Sequence, residues 1–369
     1  MKIVTVVGAR PQFIKAAAVS GKLRKAGKEI LIHTGQHYDR NMSDIFFEEL
    51  GMMPPDYYLG VGSASHARQT ADIMTGIEKI LLKEKPDFVL VYGDTNSTLA
   101  AALAAAKLLI PIIHIEAGVR SFNKTMPEEQ NRILTDHISS ILFCPTDTAV
   151  QNLASENIKN NVYQVGDVMC DAVLHYADKM KHMESSLFKE KLIGLYSWEG
   201  DLSRWYLATV HRAENTTDIG LIRIMLEALE ELDAPVIFPV HPRIRAYIEK
   251  LYKERRYRNL YFVEPLGYLE MLFFVCGAIK VITDSGGLQK EAFILHKNVV
   301  TLREQTEWIE TLAGNHNILC KFRKEDIIHS IYDTEISPEF NTSVFGDGNA
   351  TERICKILCK FSDRKQTFF

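Results

Sequence analysis

Residues 112–137 read IIHIEAGVRSFNKTMPEEQNRILTDH. The run Ile112–Ile115 has the length and apolar character of a strand buried on both faces. It ends at Glu116, and Gly118 follows in a polar turn. Pro127 suits the first position of a helix, and Glu128 follows it in the first turn, where acidic residues favour the helix dipole. Strand, polar turn and helix make one βα unit, the repeat of an α/β fold. Three carboxylates (Glu116, Glu128, Glu129) and two guanidinium groups (Arg120, Arg132) gather where the strand stops.

The same alternation extends in both directions. Ile3–Val7, Glu29–His33, Phe88–Tyr92, Ile141–Cys144 and Val162–Val165 read as further strands. A helix is predicted over 67–84, where Ile73, Ile77, Ile80 and Leu81 share one face, and another over the Ala-rich stretch 97–109. The pattern then restarts. Tyr206–Val210, Val236–Val240, Leu260–Val263, Ala278–Thr283 and Val299–Leu302 are predicted strands, with helices near 218–232, 243–255, 267–276 and 286–296. Residues 178–204 between the arrays are polar and read as loop. Two βα arrays predict an α/β protein of two Rossmann-like doubly wound domains, 1–168 and 169–348, with 349–369 as a C-terminal helix.

In such sheets ligands bind beyond the carboxyl ends of the strands. The unusual polar clusters of this chain fall there: GARPQFIK (8–15), TGQHYD (34–39), GDTNS (93–97), EAGVRS (116–121), HRAEN (211–215), HPR (241–243), TDSGG (283–287) and REQTEW (303–308). Two such sets are expected to face each other across a cleft that holds the ligand. The bulk numbers are those of an ordinary soluble chain: 369 residues, 46% hydrophobic, 24% charged, net charge −4. Nothing here attracts nucleic acid, and no stretch reads as a signal peptide or membrane span, so a cytoplasmic protein is expected. The six cysteines form no C-x-x-C pair and read as small core residues of a reduced protein.

Each cluster suggests a task. Gly286 and Gly287 open a helix after a strand, where backbone N–H groups can meet phosphate; the bland alternative is a tight turn capped by Ser285. Arg10, Lys15, Arg212 and Arg243 are cationic candidates to assist. There is no G-x-G-x-x-G and no G-x-x-x-x-G-K-[ST], so neither a dinucleotide cofactor nor a P-loop is expected. Asp94 could cap the following helix or act chemically, whereas Glu116 at a buried strand's end is harder to explain as structure. Arg132 shares a helix face with Glu128, the spacing of a surface ion pair. His211 and His241 occupy corresponding places in the second array, but no third ligand completes a metal set, so no metal is expected.

Taken together, GARPQFIK, TGQHYD, VYGDTNST, HIEAGVRS, MPEEQNR, TVHRAEN, PVHPR and TDSGGLQKEA resemble the non-hydrolysing UDP-N-acetylglucosamine 2-epimerase family, from residue 1 to about 310. The resemblance implies a glycosyltransferase-B-like pair of domains, with a C-terminal helix crossing back to the first. It implies inversion of C2 of a UDP-2-acetamido sugar for cell-surface polysaccharide, by elimination of UDP and re-addition across C1–C2. No cofactor is implied, and a homodimer is the expected assembly. By motif, Asp94, Glu116 and Glu128 are marked as acid/base carboxylates and His211 as a catalytic or diphosphate-stabilising group, with Lys15 and Arg132 as further active-site positions. Arg10, Ser285, Gly286 and Gly287 fall to the diphosphate and Glu291 to the ribose.

In bacterial relatives a second UDP-sugar can bind beside the active site as an activator, and Gln36, His37, Arg68, Gln69, Arg212 and His241 match that region, with Asp39 as a departure. Lys290, Phe293 and Trp308 depart from the commonest family pattern. They look more like the branch acting on UDP-2,3-diacetamido-2,3-dideoxy-glucuronate, which stands as the alternative substrate. A UDP-sugar glycosyltransferase is the competing class.

Overall fold

The computed structural model describes residues 1–36, 47, 49–190, 192–197, 200–332 and 335–363. By their internal contacts the residues form two units. The first is Met1–Ala172 together with the C-terminal segment from Ser343, and the second is Val173–Thr342.

The first unit has seven strands: β1 (Lys2–Val7), β2 (Lys28–His33), β3 (Tyr57–Tyr58), β4 (Phe88–Tyr92), β5 (Ile112–Ile115), β6 (Ile141–Cys144) and β7 (Val162–Gln164). All pair in parallel, in the order β3-β2-β1-β4-β5-β6-β7. Helices α1 (Arg10–Ala26), α2 (His66–Glu84), α3 (Asn96–Lys107), α4 (Pro127–Ile138), α5 (Asp147–Ser155) and α6 (Val168–Met180) supply the connections, α6 running into the second unit. The apolar runs predicted as strands are buried on both faces because helices cover both sides of the sheet. Ile73, Ile77, Ile80 and Leu81 of α2 bury the stripe seen in the sequence, packed with the alanines of α3. Small side chains there let α3 lie close to α2 and the sheet.

The second unit repeats the architecture with six parallel strands: β8 (Tyr206–Thr209), β9 (Val236–Pro239), β10 (Leu260–Val263), β11 (Val281–Thr283), β12 (Val299–Thr301) and β13 (Asn317–Leu319). Their order is β10-β9-β8-β11-β12-β13. Helices α7 (Ile219–Glu230), α8 (Pro242–Glu254), α9 (Tyr268–Gly277), α10 (Gly286–Ile294) and α11 (Lys324–Tyr332) connect them. One face of the sheet packs into a cluster that includes Tyr206, Phe238, Phe262, Ile282 and Val300. The final helix, α12 (Ala350–Asp363), packs on α1 of the first unit. Asp171 of α6 accepts from the first two amides of α12, Ala350 at 3.0 Å and Thr351 at 2.7 Å, and so caps a helix far away in sequence.

Both sheets are doubly wound, as expected. Three local expectations change. The stretch read as loop, 178–204, takes in the end of α6 and the helical turns Ser185–Glu190. The short edge strands β3 and β13 carry no apolar run that would announce them. Cys276 and Cys359 are exposed, so only Cys144, Cys170 and Cys320 are core residues, and all six thiols are free.

Candidate active site

Strand order reverses between β1 and β4 in the first sheet and between β8 and β11 in the second. A doubly wound sheet opens a crevice at such a point, because the connections on its two sides leave in opposite directions. The segments that follow these four strands carry Arg10, Lys15, Asp94, His211, Arg212, Ser285, Gly286, Gly287 and Glu291, while Glu116, Glu128 and Arg132 follow β5.

In the first unit, Lys15 of α1 is buried, and its Nζ lies 2.6 Å from Glu116 Oε2. Glu116 has φ of 71°, a left-handed conformation uncommon for a residue with a side chain. Gly93, at φ of 60°, lies against this pair: a Cβ there would stand 3.2 Å from Glu116 Oε1 and 3.5 Å from Lys15 Nζ. Glycine therefore supplies both the backbone conformation and the room. Gln12 ties the first turn to the end of β4. Its Oε1 accepts from Gly8 and Ala9 N–H at 2.8 and 3.1 Å, and its Nε2 donates to the Tyr92 carbonyl at 2.8 Å.

Thr95 caps α3, accepting from the Thr98 amide, which releases Asp94 from that task. Asp94 Oδ2 instead lies 2.5 Å from Arg132 Nη2, and Arg132 Nη1 lies 2.9 Å from Glu129 Oε2. Glu129 is fully buried and also accepts from Ser121 N–H at 2.9 Å, Ser121 Oγ at 3.0 Å and Phe122 N–H at 2.8 Å. Burial alone would raise its carboxyl, but these donors and the Arg132 guanidinium hold it below the usual range. Arg132 thus bridges Asp94 and Glu129. Glu128 is exposed, with no ion pair to it among the described residues.

Behind these groups His114 Nδ1 meets Asp136 Oδ1 at 2.7 Å, and both side chains are inaccessible to solvent. Asp136 is pushed up by burial, yet His114 and Arg120 outweigh this and keep it below the ordinary carboxylate range.

In the second unit, Asp284 is buried at the end of β11. It accepts from Arg212 N–H at 2.9 Å and Asn215 Nδ2 at 3.0 Å, and its Oδ1 lies 3.2 Å from His211 Nδ1. Burial raises Asp284, but the His211 ring, the Asn215 amide and the Arg212 amide together hold it low. This contact places the Nδ1 proton toward Asp284 and leaves Nε2 of the 41% exposed His211 side chain for a ligand. The rings of His211 and His241 are 5.9 Å apart, and His241 Nδ1 caps α8 by accepting from Arg243 N–H at 3.2 Å. Arg243 in turn donates to the His211 carbonyl at 3.1 Å.

Ser285 caps α10, accepting from Leu288 N–H at 3.2 Å. Gly286 leaves room for a carboxylate: a Cβ there would come 2.2 Å from Glu307 Oε1, which would have to shift, and 3.8 Å from Arg212 Nη2. Glu307 is paired with Arg303 at 3.0 Å, and both are buried. Glu291 is buried one helical turn on. Lys290 is almost fully buried, with Nζ 3.5 Å above the Trp308 ring, so two of the three departures, Lys290 and Trp308, touch each other.

The structure therefore groups Lys15, Asp94, Glu116 and Arg132 in the first unit. Arg10 opens α1, partly exposed. Gln36 Oε1 accepts from Ser97 N–H and Oγ at 3.0 and 2.6 Å, and Gln69 Oε1 accepts from Asn96 at 2.8 Å, so both brace the start of α3. Arg68 pairs with Asp72 on the surface, while His37 and Asp39 lie outside the described residues. His211, Arg212, His241, Ser285, Gly286, Gly287 and Glu291 belong to the second unit. Among the described residues no group of three His, Cys, Asp or Glu side chains could hold a metal ion. Sequence reasoning passed over Gln12, His114, Asp136 and Asp284. The signal for two of them was present: a histidine inside an apolar strand, and an aspartate just beyond one.

A family model described as UDP-N-acetylglucosamine 2-epimerase matches residues 22–359. A Methanococcus maripaludis protein named UDP-N-acetylglucosamine 2-epimerase homolog is 50% identical, covering 97% of this chain and 99% of its own. The Pseudomonas aeruginosa UDP-2,3-diacetamido-2,3-dideoxy-D-glucuronate 2-epimerase is 46% identical over 98% of this chain and 100% of its own. Among solved structures, the Methanocaldococcus jannaschii UDP-GlcNAc 2-epimerase in complex with UDP-GlcNAc and UDP matches with a TM-score of 0.87 and 40% identity, covering 98% of this chain and 100% of that one.

Proposed function

This chain belongs to the UDP-N-acetylglucosamine 2-epimerase family, and from that premise we propose that it inverts C2 of UDP-N-acetylglucosamine to give UDP-N-acetylmannosamine. The proton at C2 is not next to a carbonyl, so simple enolisation is closed. Elimination of UDP across C1–C2 opens a route: a base removes the C2 proton as the C1–O bond to UDP breaks, leaving a 2-acetamidoglucal. Protonation from the other face and return of UDP complete the inversion. The reaction needs a base, an acid on the opposite face, and charge stabilisation for the departing diphosphate.

One observation carries this reading. At the ends of β4 and β5, Asp94 and Glu116 are each held by a cation, Arg132 and Lys15. Fixed carboxylates with neighbouring cations suit proton transfer without a metal. Glu128 is the third acid in this reading, and its exposure leaves its carboxyl free of other duties. The diphosphate falls to Arg10, Ser285, Gly286, Gly287 and His211 Nε2, and the ribose to Glu291. Activity is expected without added metal or nicotinamide. A homodimer in the cytoplasm completes the proposal. The six free thiols fit a reducing compartment, and among the described residues no helix is long and apolar enough to cross a membrane.

The 46% identity to the diacetamido-glucuronate epimerase, with Lys290 over the Trp308 ring, favours that sugar as a second reading. Lys290 is too buried to meet a uronate directly, so the acetamido sugar comes first. Each UDP-sugar, incubated alone with the protein in D2O and followed by NMR, decides. Deuterium at C2 and a manno product are expected. Release of free sugar, or an unchanged compound until an acceptor is added, would refute epimerisation.

A further inference from the structure

His114 stands two residues before Glu116 on β5, and its ring is completely buried. Nε2 lies 2.8 Å from the carbonyl oxygen of Gly93, the residue before Asp94. Nδ1 lies 2.7 Å from Asp136 Oδ1. The other oxygen of Asp136 accepts from Gly118 N–H at 3.0 Å and from Arg120 Nη1 at 2.7 Å. Arg120 then reaches Glu156 through Nε and Nη2 at 2.7 and 2.8 Å. Both nitrogens of His114 face acceptors, so the two contacts are made together only when both donate.

We propose that His114 and Asp136 are positioning residues, a buried relay that clamps the turn bearing Asp94 to the turn bearing Glu116. The proposal rests on the reading of those two carboxylates as acid/base groups. The relay touches each turn one or two residues from its acid: at the Gly93 carbonyl on one side and the Gly118 amide on the other. The second turn needs an outside hold, since Glu116 has a positive φ that only glycine, as at Gly93, adopts without cost. An apolar side chain at 114 would continue the strand without burying any charge, and such a replacement is often neutral or stabilising. Only a ring with two opposed donors spans from Asp136 to the Gly93 carbonyl. A shift of about 1 Å between reacting groups costs on the order of 10²-fold in rate, which is the effect the relay prevents.

The test uses full-length protein with His114→Gln, which cannot donate in both directions, and Asp136→Asn as the second variant should the first not fold. Ile113→Val, a buried change on the same strand, controls for lost stability. Three quantities are read: kcat and KM with UDP-N-acetylglucosamine, deuterium entry at C2, and hydrogen exchange at the Gly118 amide. Expected are a kcat loss of roughly 10²-fold in the relay variants, UDP affinity within about threefold of the parent, faster exchange at Gly118, and normal kcat in Ile113→Val. Folded relay variants with parental kcat, or with a slow Gly118 amide, overturn the clamp alone. An equal kcat loss in Ile113→Val at equal loss of Tm also overturns it. Parent protein that exchanges no C2 proton with either UDP-sugar overturns the underlying reading, whatever the Gly118 amide does.

Discussion

Glu128 and Glu129 are chain neighbours with opposite surroundings, and they should respond oppositely to the same change. Glu129 is buried and accepts from two amides, a hydroxyl and Arg132. Replacing it with Gln leaves buried donors partly unpaired, at a cost of roughly 1–3 kcal/mol, and a urea titration should show it. Glu128→Gln should leave stability within about 0.5 kcal/mol, as at other exposed sites. Its turnover should fall on the order of 10²–10⁴-fold if Glu128 transfers a proton. Normal turnover in a stable Glu128→Gln protein would remove that acid from the mechanism. The adjacent pair also marks where sequence reading stops. The charge cluster after β5 is plain in the letters. Which of two consecutive glutamates turns inward depends on how α4 is rotated against its neighbours, a tertiary property. The left-handed backbone of Glu116 is hidden for the same reason.

Elements show a similar division. Strands with apolar runs, such as Phe88–Tyr92 and Leu260–Val263, were legible to the residue because burial on both faces leaves a continuous signature. The edge strands Tyr57–Tyr58 and Asn317–Leu319 were not, since two or three residues on a sheet's margin need no such run. The turn opening α10 was readable as a glycine turn, but not the carboxylate that packs on it. Gly286→Ala sets a Cβ against Glu307, and either the turn or the carboxylate must move. UDP affinity, measured by calorimetry, should fall by about tenfold or more, which is about 1.4 kcal/mol. Unchanged affinity would place the diphosphate elsewhere. At α12 the relevant bond is again remote: Asp171→Ala removes the cap from Ala350 and Thr351. It should cost about 1 kcal/mol, visible as a lower urea midpoint and faster amide exchange in the first turn of α12.

Across the whole molecule, Glu129, Asp136 and Asp284 share one electrostatic state: buried carboxyls held low by donors and cations. Each folded value lies below the unfolded one, so each contributes stability fully above about pH 4, where unfolded Asp and Glu titrate. That contribution is lost as pH falls below this range through the folded values. A stability curve flat near neutrality and falling steeply below about pH 4 is expected. Asp136→Asn should flatten the acid limb, and a limb of unchanged slope would contradict the assignment. The path of the chain through its two units has a further consequence, for biosynthesis. The second unit is one continuous segment, while the first waits for its last helix, α12, which covers α1 with the buried Ile354 and Leu358. A nascent chain thus completes its later unit before its earlier one. Until α12 has been made, α1 of the earlier unit has an uncovered apolar flank, the interval in which chaperones would be needed most.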